Sequence, residues 1–149
     1  MTTFFVPGNP RPWSAPTTGK GGGFSKPELV AWERLVRQVA LLRGRRVNHE
    51  ALEVVLEFRM SRDSMAKKVR QQLADQKNLP HTRTPDIDNL TKAVLDGLRY
   101  KRARANSKGQ DQVGIILDDS TVAHVDAWKF WADEGETSGV HITIREFGG

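Results

Sequence analysis

Between Leu52 and Met60 the chain runs with a period of two: Leu52, Val54, Leu56, Phe58 and Met60 alternate with Glu53, Val55, Glu57 and Arg59. Successive side chains of a strand leave opposite faces, so this segment is a strand with one apolar face that must be covered. Cover is available on either side. Leu29, Trp32, Leu35, Val36, Val39 and Leu42 recur at helical spacing ahead of it, and Ile87, Leu90, Val94, Leu95 and Leu98 behind it. A strand that needs a lid and two helices with one apolar stripe each point to two packed layers. At 149 residues the chain has room for one such domain, 1–149, and not for two.

The remaining elements follow from local signals. Thr3 to Val6 reads as a short strand that stops at Pro7-Gly8, and residues 7–24, rich in Pro and Gly, as a long loop. Ser25-Lys26-Pro27-Glu28 has the form of a capping box opening the first helix, which Gly44 ends. Residues 61–83 carry only a thin Met65, Val69, Leu73 stripe, which suggests a mobile segment with one short helix. The second main helix starts near Asp86 and presents Asp88, Asn89, Lys92 and Asp96 opposite its apolar stripe. After a basic loop from Tyr100 to Gln112, three short strands are expected at 114–117, 121–131 and 139–145, separated by turns at 118–120 and 133–138. The expected class is α+β (irregular α/β), a single mixed sheet with two main helices on one face.

Lys and Arg number 23 against 18 Asp and Glu, a formal charge of +5, which favours a polyanionic partner. There is no Cys, which removes disulfides, thiolate metal sites and a cysteine nucleophile together. No apolar run is long enough to span a membrane, and the first residues lack a secretory pattern, so a cytoplasmic protein is expected. The glycines at 19–23 lack the Gly-Lys-Ser/Thr ending of a phosphate loop, so no nucleotide cofactor is expected. His49, His81, His124 and His141 show no metal-ligand spacing.

The most informative stretch is Pro85-Asp86-Ile87-Asp88-Asn89-Leu90-Thr91-Lys92. Residues two apart in a helix point about 200° apart, so Asp86 and Asp88 converge only if Asp86 lies outside the helix as its N-cap. Pro85 favours that arrangement. Lys92 follows Asp88 on the same face one turn on. A second pair, Asp118-Asp119, ends a short apolar segment; if that segment is central and runs beside the helix start, the carboxylates meet. Such a cluster repels itself unless a hard cation such as Mg²⁺ is bound by its oxygens, and that ion activates water for phosphodiester attack. The alternative is ordinary capping, an i,i+4 surface pair and a turn.

The run from Pro85 to Leu98, with Leu117-Asp118-Asp119-Ser120-Thr121-Val122 and Lys129 after it, resembles the RusA family of Holliday-junction resolvases. The likeness covers about residues 84–131. It implies that Asp86, Asp88 and Asp119 are the essential Mg²⁺-binding carboxylates, Lys92 the catalytic lysine, Asn89 a site-shaping residue and Asp118 a supporting one. It further implies a homodimer that cuts four-way DNA junctions symmetrically. Thr121 stands where the family usually has Gln, and 101–112 is longer and more basic than usual.

Basic residues flank the acidic helix in sequence. Lys67, Lys68, Arg70, Arg102, Arg104 and Lys129 are the expected DNA contacts, a cationic rim that draws phosphates toward an anionic centre. Trp128, Phe130 and Trp131 crowd one strand and cannot share a side; one face suits the core and the other a partner subunit. Two other functions fit the same features: a non-catalytic basic nucleic-acid-binding module, and a nuclease that prefers flaps or forks.

Overall fold

The computed structural model describes residues 1–19, 22–24, 26–47, 50–101 and 111–148. Its elements are β1 (Thr2–Pro7), β2 (Thr17–Gly19), β3 (Gly22–Phe24), α1 (Pro27–Arg43), β4 (Leu52–Met60), α2 (Lys67–Leu73), α3 (Ile87–Leu98), β5 (Val122–Trp131) and β6 (Gly139–Glu146). The fold is α+β. One mixed four-stranded sheet has the order β1-β6-β4-β5, with β4 parallel to β5 and antiparallel to β6. A parallel pair requires a long crossover, and here the crossover carries α2 and α3.

The alternation in β4 places Leu52, Val54, Leu56, Phe58 and Met60 in the core. Beside them lie Val140, Ile142 and Ile144 of β6 and Phe4 and Val6 of β1. Leu29, Trp32, Val36 and Ala40 of α1 and Leu90, Ala93, Val94 and Leu98 of α3 close the layer above. The helices approach tightly at Gly97, where a Cβ would stand 2.8 Å from the Val36 Cβ. The opposite face of the sheet mixes charged and aromatic side chains, with Glu53 bonded to Arg145 at 2.8 Å and Arg59 over the Phe130 ring.

Several expectations need correction. Within the expected loop, β2 (Thr17–Gly19) pairs antiparallel with β3 (Gly22–Phe24). The first helix has Lys26 at its N-cap with no side-chain cap bond, and Ser25 lies outside the described residues. Leu42 is 78% and Ile87 38% exposed, because each sits at a helix end beyond the reach of the sheet. Asp96 is buried rather than on the polar face, beside Arg99 at 3.4 Å.

Residues 61–83 are tied down rather than mobile. The Arg62 guanidinium is 3% exposed and donates to Ala132 O at 2.6 Å, Leu73 O at 2.8 Å and Gln76 O at 2.7 Å. Its planar fork ties the end of α2 and the turn after it to the segment that follows β5. Further on, His81 N donates to Lys129 O at 3.0 Å and Trp131 N to Leu79 O at 2.8 Å, strapping 79–81 along the outer edge of β5. Residues 114–117 are not a strand. Gly114 passes so close to the end of α3 that a Cβ would stand 2.2 Å from Leu98 O, and Ile115 and Ile116 are buried there.

Candidate active site

Asp86 takes the N-cap of α3 with extended backbone, and Asp88 falls in the first turn. The capping interpretation predicts that the Asp86 carboxylate accepts a helix N–H, yet it makes no cap bond. Asp88 Oδ1 accepts the Asn89 N–H at 2.9 Å. Both carboxylates are exposed. The surface-pair interpretation fails as well: among the described residues no carboxylate is ion-paired with Lys92, whose Nζ lies instead 3.6 Å from the ring centroid of Trp13.

Asp86 and Asn89 line a cleft of about 920 Å³ whose other walls include Arg11, Trp13, Met60 and His81. Sequence reasoning missed Trp13 and His81. Nothing local marks them, because Trp13 reaches the site from a loop far away in sequence and His81 from the strap on β5. His81 packs on Trp131 with ring centroids 4.2 Å apart, and burial holds its imidazole below the ordinary pKa.

Lys129, expected as a DNA contact, is engaged within the chain. In the β4–β5 register it stands beside Phe58, on the helix side of the sheet. Its Nζ donates to Arg83 O at 2.7 Å and Pro85 O at 2.8 Å, clamping the segment that delivers Asp86. Burial lowers its pKa, and the charge of Asp86 partly opposes this.

The second acidic pair lies elsewhere. Asp118 caps a 3-10 turn, Asp119–Thr121, accepting the Asp119 N–H at 2.9 Å and the Ser120 hydroxyl at 2.7 Å. Those bonds hold Asp118 below the usual carboxylate range, while the Asp118 carboxylate and burial push Asp119 above it. Arg99, the C-cap of α3, approaches Asp118 at 3.6 Å. Asp86 is the N-cap of the same twelve-residue helix, which is about 18 Å long. The two acidic pairs therefore sit at opposite ends of α3, and the expected convergence of Asp86, Asp88 and Asp119 in one chain does not occur. Among the described residues no group of three His, Asp or Glu side chains is placed to hold a metal. The reason is the path of 114–117, which packs under the C-terminal end of α3 instead of running beside its start.

Of the expected cationic rim, Lys67 and Lys68 are exposed at the start of α2. Arg70 is engaged by carboxylates, bidentate to Glu134 at 2.7 and 3.1 Å and bonded to Asp63 at 2.8 Å. Arg102 and Arg104 lie outside the described residues. Trp128 and Phe130 stack on the outer face of β5, 6.0 Å apart, while Trp131 is buried on the other side. No described helix is long and apolar enough to cross a membrane.

A protein-family model described as Endodeoxyribonuclease RusA matches residues 7–145, nearly the whole chain. No curated protein sequence matches it.

Proposed function

Because the chain belongs to the endodeoxyribonuclease RusA family, we propose that it is a Mg²⁺-dependent endonuclease that resolves four-way DNA junctions as a homodimer. The observation that carries this reading is the N-cap of α3, where an uncommitted carboxylate opens onto a cleft beside a lysine with no carboxylate partner among the described residues.

The all-oxygen donor set of Asp86, Asp88 and Asp119 suits a hard cation, but one chain cannot gather it. A second chain can. Among the described residues the outer edge of β5 is strapped at 129–131, and the stretch before it leaves Val125 39% and Trp128 52% exposed. A long unpaired edge with apolar side chains is a pairing surface. Antiparallel pairing of two such edges about a two-fold axis near Val125 sets Thr121 of one chain across from Lys129 of the other. Asp118 and Asp119 of one chain then approach the segment that Lys129 clamps, next to Asp86 of its partner. A two-fold dimer so built presents two identical acidic sites to a pseudo-two-fold junction.

In that assembly Asp86, Asp88 and Asp119 would hold Mg²⁺, which would supply Lewis acidity and lower the pKa of a bound water. Asn89 shapes the cleft wall, Asp118 orders the turn carrying Asp119, and Lys129 fixes the approach to Asp86. Lys92 lies one turn beyond Asp88 and offers a positive charge to the phosphate as negative charge builds on it. Lys67 and Lys68 draw the backbone toward the site, so binding weakens steeply with salt. The test is cleavage of an immobile four-way junction, a flap and a linear duplex side by side with Mg²⁺. Paired symmetric nicks in the junction alone are expected; equal cutting of the duplex contradicts the resolvase assignment.

A further inference from the structure

Lys92 is exposed on α3, a position where a lysine side chain ordinarily samples many rotamers in water. Here its ammonium sits on the face of the Trp13 indole, 3.6 Å from the ring centroid. Trp13 is itself fixed to the same helix: its backbone N–H donates to Asn89 O at 2.9 Å. The loop that brings it is stiff by composition. Pro10 and Pro12 flank Arg11 and lock their own φ angles. At its base Gly8 donates to Ser138 O at 3.0 Å and adopts φ +136°, where a Cβ would press on the Trp32 ring at 3.2 Å. The half-buried indole packs against the core, so it is a fixed wall and not a mobile flap.

We infer that Trp13 is a positioning residue for Lys92. Its ring, which lines the cleft together with Asp86 and Asn89, holds the ammonium by cation–π attraction and away from an i,i+4 pair with Asp88. A cation held by a ring keeps its full charge, whereas one paired with a carboxylate meets phosphate already neutralised. The arrangement therefore keeps Asp88 and Lys92 from neutralising each other before substrate arrives, and it limits the rotamer freedom Lys92 would lose on engaging phosphate. The inference rests on the assignment of Lys92 as catalytic.

The test compares wild type with Trp13→Phe, Trp13→Ala and Lys92→Met. Single-turnover cleavage of a four-way junction is measured with Mg²⁺, and junction binding and the thermal midpoint without it. In metal-free protein labelled at lysine, NMR reads the Lys92 ε-methylene protons, which the indole ring current moves upfield in wild type. Trp13→Ala is expected to return that resonance to the ordinary lysine position and to slow cleavage by about tenfold, within the range a cation–π contact supports. Its junction affinity changes by less than about twofold, on the scale where tenfold is 1.4 kcal/mol. Trp13→Phe, which keeps a weaker ring, falls between and guards against a folding defect in the alanine variant. Wild-type cleavage by Trp13→Ala while Lys92→Met is inactive overturns the inference and leaves the role of Lys92 intact. So does an unshifted Lys92 resonance in wild type. Wild-type cleavage by Lys92→Met overturns the catalytic assignment, and the inference with it.

Discussion

Replacing Lys129 by Met separates two roles that the same lysine can have. Met keeps most of the aliphatic stem and removes the ammonium, so the bonds lost are those to Arg83 O at 2.7 Å and Pro85 O at 2.8 Å. A hydrogen bond from a charged donor contributes about 1.5–3 kcal/mol. Arg83 is exposed and Pro85 only half-buried, so their carbonyls regain water. Removing the half-buried charge also relieves the desolvation that depresses the Lys129 pKa. The net loss of stability is therefore about 1–2 kcal/mol, a fall in thermal midpoint of about 2–8 °C for a chain of this size. Cleavage is affected more. With the clamp gone, Asp86 keeps its hold on the helix side, where Leu90 N donates to Asp86 O at 3.1 Å. A misplacement of about 1 Å in a reacting geometry lowers rates on the order of a hundredfold. Single-turnover junction cleavage should thus fall about a hundredfold while metal-free junction affinity and its salt dependence stay near wild type. If Lys129 instead contacts a phosphate, affinity falls and the slope of log K against log salt drops by about 1. That result, or wild-type cleavage, refutes the positioning role.

Three further outcomes follow from the same structure. Arg62→Ala removes the guanidinium donor from three backbone carbonyls, of which Leu73 O keeps the Gln76 N–H at 3.0 Å, and leaves a cavity, so the urea midpoint should indicate a loss of about 2–4 kcal/mol, with faster amide exchange in 65–76; a loss below about 1 kcal/mol contradicts the pinning role. His81 is buried with its pKa held below the ordinary value of about 6.5, so the unfolded chain takes up that proton first as pH falls. Its contribution to stability is therefore full above about pH 6.5 and is lost as pH drops toward the lower folded pKa, and wild type should lose more stability between pH 7.5 and 5.5 than His81→Phe, the assay being urea unfolding. Val125→Pro removes a donor from the open edge of β5 and should turn a dimer into a monomer by light scattering while the circular dichroism spectrum is kept; a dimer unaffected by this change places the interface elsewhere.

What the amino-acid sequence makes legible is whatever depends on nearest neighbours along the chain. The alternation in β4 is nine residues long and flanked by two amphipathic helices, and each of its five apolar positions is buried as the period requires. Asp86 stands at its N-cap for the reason Pro85 suggests, a start that excludes Asp86 from the helical turn. The position of Asp118 and Asp119 depends instead on where Val113 to Leu117 packs. A short apolar run reads equally as a strand or as buried coil, and only the clearance at Gly114 decides for coil. Lys129 and Arg70 look alike as isolated cations. What distinguishes them from a DNA-facing rim is carbonyls at 83 and 85 in one case and carboxylates at 63 and 134 in the other, contacts made only on folding. Trp13 belongs to the same class, since its meeting with Lys92 joins a loop before the first helix to the last one.

The central claim is that the acidic site closes between two chains, and a mixing experiment tests it. Asp86→Asn and Asp119→Asn homodimers should each fail to cut a four-way junction with Mg²⁺. In a heterodimer of the two, purified by different tags, one composite site is built from the intact Asp86 of one chain and the intact Asp119 of the other, so about half the wild-type sites are restored. The account predicts that this heterodimer nicks one strand of the junction. An inactive heterodimer, formed from chains that fold and pair normally, would mean that each site lies within a single chain and would contradict it.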